Sequence, residues 1–258
     1  MKKLARLASN ILPTSAKSII KRVANIAISA IPGEKSIELL GLKHATDKLS
    51  HGYLPYYDAH FSSIRHEKLK VLEIGIGGYG DLCGGGASLR LWQDYFANSH
   101  IYGLDIEDKS FHRDKRITTF QGSQNDISVL ENVASTIGSI DIIIDDGSHI
   151  NEHMILSFSA LFPHLSQGGI YAIEDISTSY LPTYGGCVAA GACDSTAIGM
   201  VKSLIDGLNY QYIPGRAHKP FDAHVVSIHC YPKLVFIKKG VNKHILSNDE
   251  IALVNGRH

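Results

Sequence analysis

The stretch Ile140-Asp141-Ile142-Ile143-Ile144-Asp145-Asp146-Gly147-Ser148-His149 decides the reading of this chain. Ile140 to Asp145 is a short, almost wholly apolar run that ends in turn-forming residues. Such a run reads as a strand buried on both faces. Downstream, Asn151 to Leu165 has helical spacing, and Gly169 to Glu174 is a further apolar strand ending in acid. Upstream, Leu69 to Ile74, Ile101 to Ile106 and Ile117 to Gln121 read as strands. Ser88 to Phe96 and Ile127 to Thr136 read as the helices between them. Continuous apolar strands alternating with helices mean a mostly parallel sheet with both faces covered.

The C-terminal part changes pattern. Ala197 to Leu208 is helical, but His224 to His229 and Leu234 to Lys238 are strands separated only by Cys230 to Lys233. That connection is too short for a crossover helix, so the pair is an antiparallel hairpin. A parallel sheet finished by a hairpin is less typical of dinucleotide dehydrogenases than of the class I methyltransferase (Rossmann-like) fold, which this α/β pattern resembles. Residues 176–196, with Pro182, Gly185, Gly186 and Gly191, show no period and read as a long loop over the site.

Bulk properties set limits. The 258 residues carry 25 basic and 25 acidic side chains and 14 histidines, so no global basic field points to nucleic acid. The four cysteines, Cys83, Cys187, Cys193 and Cys230, have no metal-knuckle spacing. Cys187 and Cys193 share a Gly/Ala-rich loop and could pair. They are expected to stay reduced, because nothing else marks an exported chain.

Residues 1–33 stand apart from residues 34–258, which read as the folded domain. The segment carries Lys2, Lys3, Arg6, Lys17, Lys21 and Arg22 and no acid, with apolar residues at helical spacing. It is neither a membrane span nor a good signal peptide. A helix packed on the domain or on a sister subunit, a weak anchor on an anionic membrane face, and a flexible tail all stay open. The chain is expected in the cytoplasm, at the inner membrane face if the anchor reading holds, and as a homo-oligomer if the packing reading holds.

Two motifs carry chemistry. The first strand runs into Glu73-Ile74-Gly75-Ile76-Gly77-Gly78-Tyr79-Gly80, where Gly75, Gly77 and Gly80 match G-x-G-x-x-G. A dinucleotide fingerprint opens its helix directly on the phosphates. Here Gly84-Gly85-Gly86 intervenes first. A structural turn and a dinucleotide site remain readings of this loop. S-adenosylmethionine suits it better, having a ribose but no pyrophosphate. Asp105 would then bind the ribose hydroxyls, with Ser123 and Gln124 toward the adenine.

The second motif is the acidic cluster. The strands ending at Asp146 and at Glu174-Asp175 open on one edge, about 4.8 Å apart if adjacent. Three uncompensated carboxylates repel, and an all-oxygen set favours a hard divalent cation such as magnesium. Helix capping is the bland alternative, most of all for Asp145, which reads as support for the turn. His149 is the candidate base. His153 offers a zinc pair only on paper, since the nearby ligands are carboxylates. A cation that polarises a hydroxyl, with a histidine to take its proton, suits methyl transfer to an alcohol. A vicinal diol that chelates the cation points to a sugar.

His44-Ala45-Thr46-Asp47-Lys48, His51-Gly52-Tyr53, Val71-Leu72-Glu73-Ile74-Gly75, the run Ile143 to His149 and Ile173-Glu174-Asp175 together resemble the macrolide and related sugar O-methyltransferases. The likeness extends from about residue 38 to 240. It implies a magnesium site at Asp146, Glu174 and Asp175, with His149 and Asp146 catalytic. The cofactor-binding set is then Lys48, Glu73, Gly75, Gly77, Ser88, Asp105, Gly122, Ser123, Gln124 and Asp146. Several macrolide members carry a large extra N-terminal domain, in place of which this chain has only its basic segment. The acceptor is a glycoside or a cell-surface glycan, and the basic N-terminus would suit a lipid-linked one. A non-sugar hydroxyl framed by Tyr53 to Tyr57, or a non-catalytic nucleotide-binding role, are the alternatives.

Overall fold

The computed structural model describes residues 33–81, 83–188, 193–213, 217–243 and 247–254. The expected N-terminal helix falls in residues 1–32, outside the described residues. In chain order the elements are α1 (Ile37–His44), α2 (Lys48–His51), α3 (Leu54–Phe61), β1 (Lys70–Ile74), α4 (Ala87–Tyr95), β2 (His100–Asp105) and β3 (Ile117–Gln121). There follow α5 (Ile127–Ile137), β4 (Ile140–Asp145), α6 (Asn151–Leu161), β5 (Leu165–Ile173), α7 (Ala197–Leu208), β6 (Val225–Tyr231), β7 (Leu234–Lys239) and α8 (Asn248–Val254).

The strands form one seven-stranded sheet in the order β3-β2-β1-β4-β5-β7-β6. β1 to β5 pair in parallel, and β7 is antiparallel to both β5 and β6. The mostly parallel sheet with its C-terminal hairpin is as the sequence leads one to expect. Boundaries moved where local chemistry intervenes. α6 stops at Leu161 because Phe162-Pro163-His164 tightens into a 3₁₀ turn around a proline that has no N–H to donate. β6 runs on to Tyr231, so the hairpin turns on Pro232 and Lys233, the latter at φ 67°.

Residues 36–61 fold as three short helices where the sequence reading assigned no elements. Ser36 caps α1 by accepting from the Leu39 N–H, and Pro55 opens α3. These helices lie with α4 on one face of the sheet, over Val71, Ile101, Ile142, Ile144, Ala172 and Phe236. The opposite layer, α5 to α7, packs on Leu72, Ile74, Leu104, Ile143, Ile173 and Ile237. Alternate residues of each strand therefore serve opposite layers. Ile140, Ile142, Ile143 and Ile144 are all fully buried. Among the described residues no helix is long and apolar enough to cross a membrane.

One expectation is corrected. Cys187 and Cys193 form a disulfide, with Cα atoms 5.9 Å apart, while Cys83 and Cys230 are free and exposed. The loop turns back after the 3₁₀ turn Pro182–Tyr184. The Cys187 N–H donates to the Ser179 carbonyl and Thr196 bonds the Cys193 carbonyl, which brings the two sulfurs together.

Candidate active site

Strand parity builds the site. Glu73, Asp146 and Glu174 each continue the register of residues that face α1 to α4: Val71 on β1, Ile142 and Ile144 on β4, Ala172 on β5. Three neighbouring strands thus present three carboxylates to one side, Asp146 and Glu174 level with each other just past their strand ends and Glu73 two residues lower, level with Ile144. Lys48, the first residue of α2, meets all of them. Its Nζ lies 2.5 Å from Asp146 Oδ2, 2.6 Å from Glu174 Oε1 and 3.2 Å from Glu73 Oε1. Burial alone would lower the Lys48 pKa, but Asp146, Glu174 and Glu73 more than offset it, and the ammonium is held well above its ordinary value.

The cluster has a closed back and an open front. Glu73 and Glu174 are 0% and 1% exposed. Ser88 and Trp92 of α4 also donate to Glu73, and the Tyr57 hydroxyl donates to Glu174 at 2.5 Å. Burial and the Asp146 charge push the Glu174 carboxyl up to about 8. At the front, Asp146, His149 and Asp175 keep 21–24% side-chain exposure. One ligand atom from each can be chosen so that all lie within 4.8 Å of one another. His149 Nε2 stands 3.9 Å from Asp146 Oδ1 and 3.8 Å from Asp175 Oδ2. The Tyr53 hydroxyl donates to Asp175 Oδ1 at 2.6 Å.

The backbone is bent to make this corner. His149 and Asp175 sit in the left-handed region, at φ 57° and 48°. Such conformations cost a non-glycine residue roughly 1–3 kcal/mol, and they persist where surrounding structure imposes them. Here Thr178 donates to the His149 carbonyl and the Ile176 N–H to the Lys233 carbonyl. Asn151 is buried just behind, bonding Thr178, Tyr184, Ser179 and Ala197. It ties the loop after β5 to the helix that carries the site.

Asp145 has the opposite parity and faces the other layer. It is buried, bonded by Ser157, Gln124 and Tyr171, and its pKa is raised by burial. Its role as support follows from that position. Gln124 belongs to the same bracket: its Nε2 donates to Asp145 and its Oε1 accepts from the Ser148 N–H. His153 bonds Ser148 and stays outside the front corner.

The glycine loop lies beside the cluster. Gly75 has φ 88°, and a Cβ there would run into the Asp146 carbonyl, so only glycine lets β1 and β4 end this close together. The second glycine cluster folds back over the first, with the Gly86 N–H on the Ile76 carbonyl at 2.8 Å. Asp105 Oδ2 accepts from Ile76 N and its Oδ1 from Glu107 N, which makes it a brace of this loop and leaves its remaining lone pairs for a hydroxyl. The buried Lys109 holds the carbonyls of Tyr79 and Asp81, and His112 and Arg90 hold those of Gly84 and Gly85. Ser123 stands at the next strand end, its hydroxyl accepting from the Asn125 N–H, and Gly122 packs on Val129.

Sequence reasoning placed Lys48, Glu73 and Ser88 near a cofactor. In the structure they form the buried back of the carboxylate cluster. It named Tyr57 only as part of a frame for an acceptor, whereas the Tyr57 hydroxyl bonds Glu174, and it did not single out Asn151, Lys109 or the His112–Arg90 pair. Glu73, Asp146 and Glu174 share a strand parity that was readable, but no sequence signal points to Lys109 or Asn151.

The glycine loop, the acid at the end of β2 and the hairpin-closed sheet define a class I methyltransferase fold. A demethylmacrocin O-methyltransferase of Streptomyces fradiae is 52% identical over 195 residues, covering 74% of this chain and 49% of the relative. A mycinamicin VI 2''-O-methyltransferase of Micromonospora griseorubida is 46% identical over 195 residues, with the same coverages. The solved structure of MycE methyltransferase from the mycinamycin pathway, in complex with Mg and SAH, superposes with TM-score 0.79 at 43% identity, over 82% of this chain and 55% of that one. No family model matches the chain. By sequence and fold the chain belongs with the macrolide and related sugar O-methyltransferases, and it spans about half the length of the curated relatives it matches.

Proposed function

We propose that this chain transfers a methyl group from S-adenosylmethionine to a sugar hydroxyl of a small-molecule glycoside, with a divalent cation, magnesium first, at the front corner. The observation that carries this is the convergence of Asp146, His149 and Asp175 beside the glycine loop. The relatives are named for hydroxyls of antibiotic glycosides, and MycE was solved with Mg and SAH and also with its macrolide. Of the two acceptors expected from the sequence, a glycoside and a cell-surface glycan, the relatives support the glycoside.

The donor set suits a hard cation: two carboxylates at the front, with the buried Glu174 beside Asp146 on the same Lys48 ammonium. Asp146, Asp175 and Glu174 would hold it, and the cation would lower the pKa of an acceptor hydroxyl and orient it. The chain supplies the rest. His149 takes the proton, its Nε2 lying at the mouth between the two front carboxylates. The glycine loop and Asp105 seat the methyl donor on the adjoining strand ends.

Tyr56 and Tyr231 support a ring-shaped acceptor. They stack at 4.2 Å, half-buried, and Tyr56 lies one turn along α3 from Tyr53, which touches Asp175. Aromatic faces of this kind pack against the apolar face of a sugar or an aglycone. Incubating the purified chain with S-adenosylmethionine, Mg²⁺ and glycosides carrying free vicinal hydroxyls tests the proposal. One added methyl group on the sugar, abolished by a chelator, is the expected result. Methylation that survives chelation would refute the cation's part. Binding of S-adenosylhomocysteine with no methylation of any glycoside would favour a non-sugar acceptor.

A further inference from the structure

We infer that Lys48 is a positioning residue: its buried amine aims Asp146 at the front corner and is not a ligand of the cofactor. The inference rests on the functional reading above. The Lys48 ammonium donates to Asp146 Oδ2 at 2.5 Å and Glu174 Oε1 at 2.6 Å, and it ion-pairs with Glu73 at 3.2 Å. All three of its partners are carboxylates of the chain. Lys48 is also completely buried, so it has no face toward a bound ligand.

Burying an ammonium is costly unless charge and hydrogen bonds compensate, and the reverse holds for the carboxylates. Glu73 lies at the closed back, and Glu174 gives its Oε1 to Lys48 and Tyr57, which leaves only its Oε2 for a front-bound cation. Lys48 pairs with both and divides the cluster. The back pair is satisfied by Lys48, Ser88, Trp92 and Tyr57. Asp146 is held by one oxygen, Oδ2, while Oδ1 is the atom nearest His149. One carboxylate thus has a fixed rear oxygen and an available front one.

The arrangement assigns a purpose to the segment before β1. Lys48 is delivered by α2, between the αL residue Ala45 that ends α1 and the αL residue Gly52 that ends α2. α3 then supplies Tyr53 and Tyr57 to Asp175 and Glu174. The helical cap is part of the reacting site and not an accessory to it.

Charge and aim predict opposite outcomes. Were Lys48 only a neutralising charge, its loss would leave the site more negative and bind a divalent cation more tightly. As a positioning residue, its loss frees Asp146 and weakens binding. The test is Mn²⁺ affinity by electron paramagnetic resonance, with S-adenosylhomocysteine affinity by calorimetry, on the 258-residue wild type, Lys48→Met and the charge-balanced double variant Lys48→Met/Glu73→Gln. We expect the Mn²⁺ dissociation constant to rise at least tenfold in both variants, with S-adenosylhomocysteine affinity changed less than threefold. Unchanged or tighter Mn²⁺ binding overturns the inference. So does a selective loss of S-adenosylhomocysteine binding, which would make Lys48 a cofactor ligand. Failure of both variants to fold also overturns it, since Lys48 would then hold the fold and not aim a carboxylate. A wild type that binds no Mn²⁺ would instead refute the functional reading.

Discussion

His149 and Asp146 stand three positions apart, and the intervening Gly147 and Ser148 decide how they meet. A Cβ at Gly147 would collide with the Gln124 side-chain amide, and the Ser148 N–H is fixed by that same amide. The strand end is therefore closed from below by Gln124 and Asp145, and His149 is turned into the left-handed region over Asp146. General base catalysis of this kind is worth about 10²–10⁴ in rate. His149→Ala is predicted to lose methyl transfer within that range while keeping its affinity for S-adenosylhomocysteine, by steady-state kinetics beside calorimetry. A loss under fivefold would remove His149 from the chemistry. The acids and the histidine were legible in sequence because they cluster at two apolar strand ends. The division of labour between Asp145 and Asp146 was harder to read, since neither residue type nor spacing separates them. Only the alternation of strand faces does, sending Asp145 to α6 and Asp146 to α2.

At the scale of elements, two contacts between them hold the site in shape. The glycine loop of residues 75–86 contributes few side chains of its own and depends on Lys109 for its outer turn. Hydrogen bonds to charged groups are worth roughly 1.5–3 kcal/mol each. Lys109→Met is therefore predicted to weaken S-adenosylhomocysteine binding at least tenfold by calorimetry, with thermal stability reduced only slightly. Equal affinity would mean the loop holds itself. The helical cap is tied to α4 by Asp94, whose Oδ2 lies 2.5 Å from Lys43 Nζ and 2.8 Å from His44 Nε2. Partial burial acts against ionisation there, but His44 and Lys43 outweigh it and hold the Asp94 carboxyl at about 2, below its ordinary 3.8. The folded pKa is depressed, so the stabilisation is complete above about pH 4 and is lost as pH falls toward 2. Asp94→Asn should lower the urea midpoint at pH 6, and the gap to wild type should narrow at pH 3. A gap independent of pH would assign the effect to packing. The cap helices themselves escaped sequence reading because they are short and end in αL residues, which leaves no helical period long enough to detect.

For the whole molecule, the sheet order, the hairpin and the edge on which the site opens could be anticipated from alternating apolar runs. The pairing of Cys187 with Cys193 could not, because it was judged from compartment and not from the path of the loop. With Cys83 and Cys230 free, a thiol titration without reductant should find two reactive thiols, and four after reduction in denaturant. Four before reduction would contradict the bridge. The central claim is that the ends of β4 and β5 hold a divalent cation beside a methyl donor. Anomalous diffraction from a crystal grown with Mn²⁺ and S-adenosylhomocysteine tests it most directly. The account predicts one strong peak within bonding distance of Asp146 and Asp175, next to His149 and alongside cofactor density over Gly75 and Gly77. Cofactor density there with no peak at that corner, or a peak elsewhere, would contradict it.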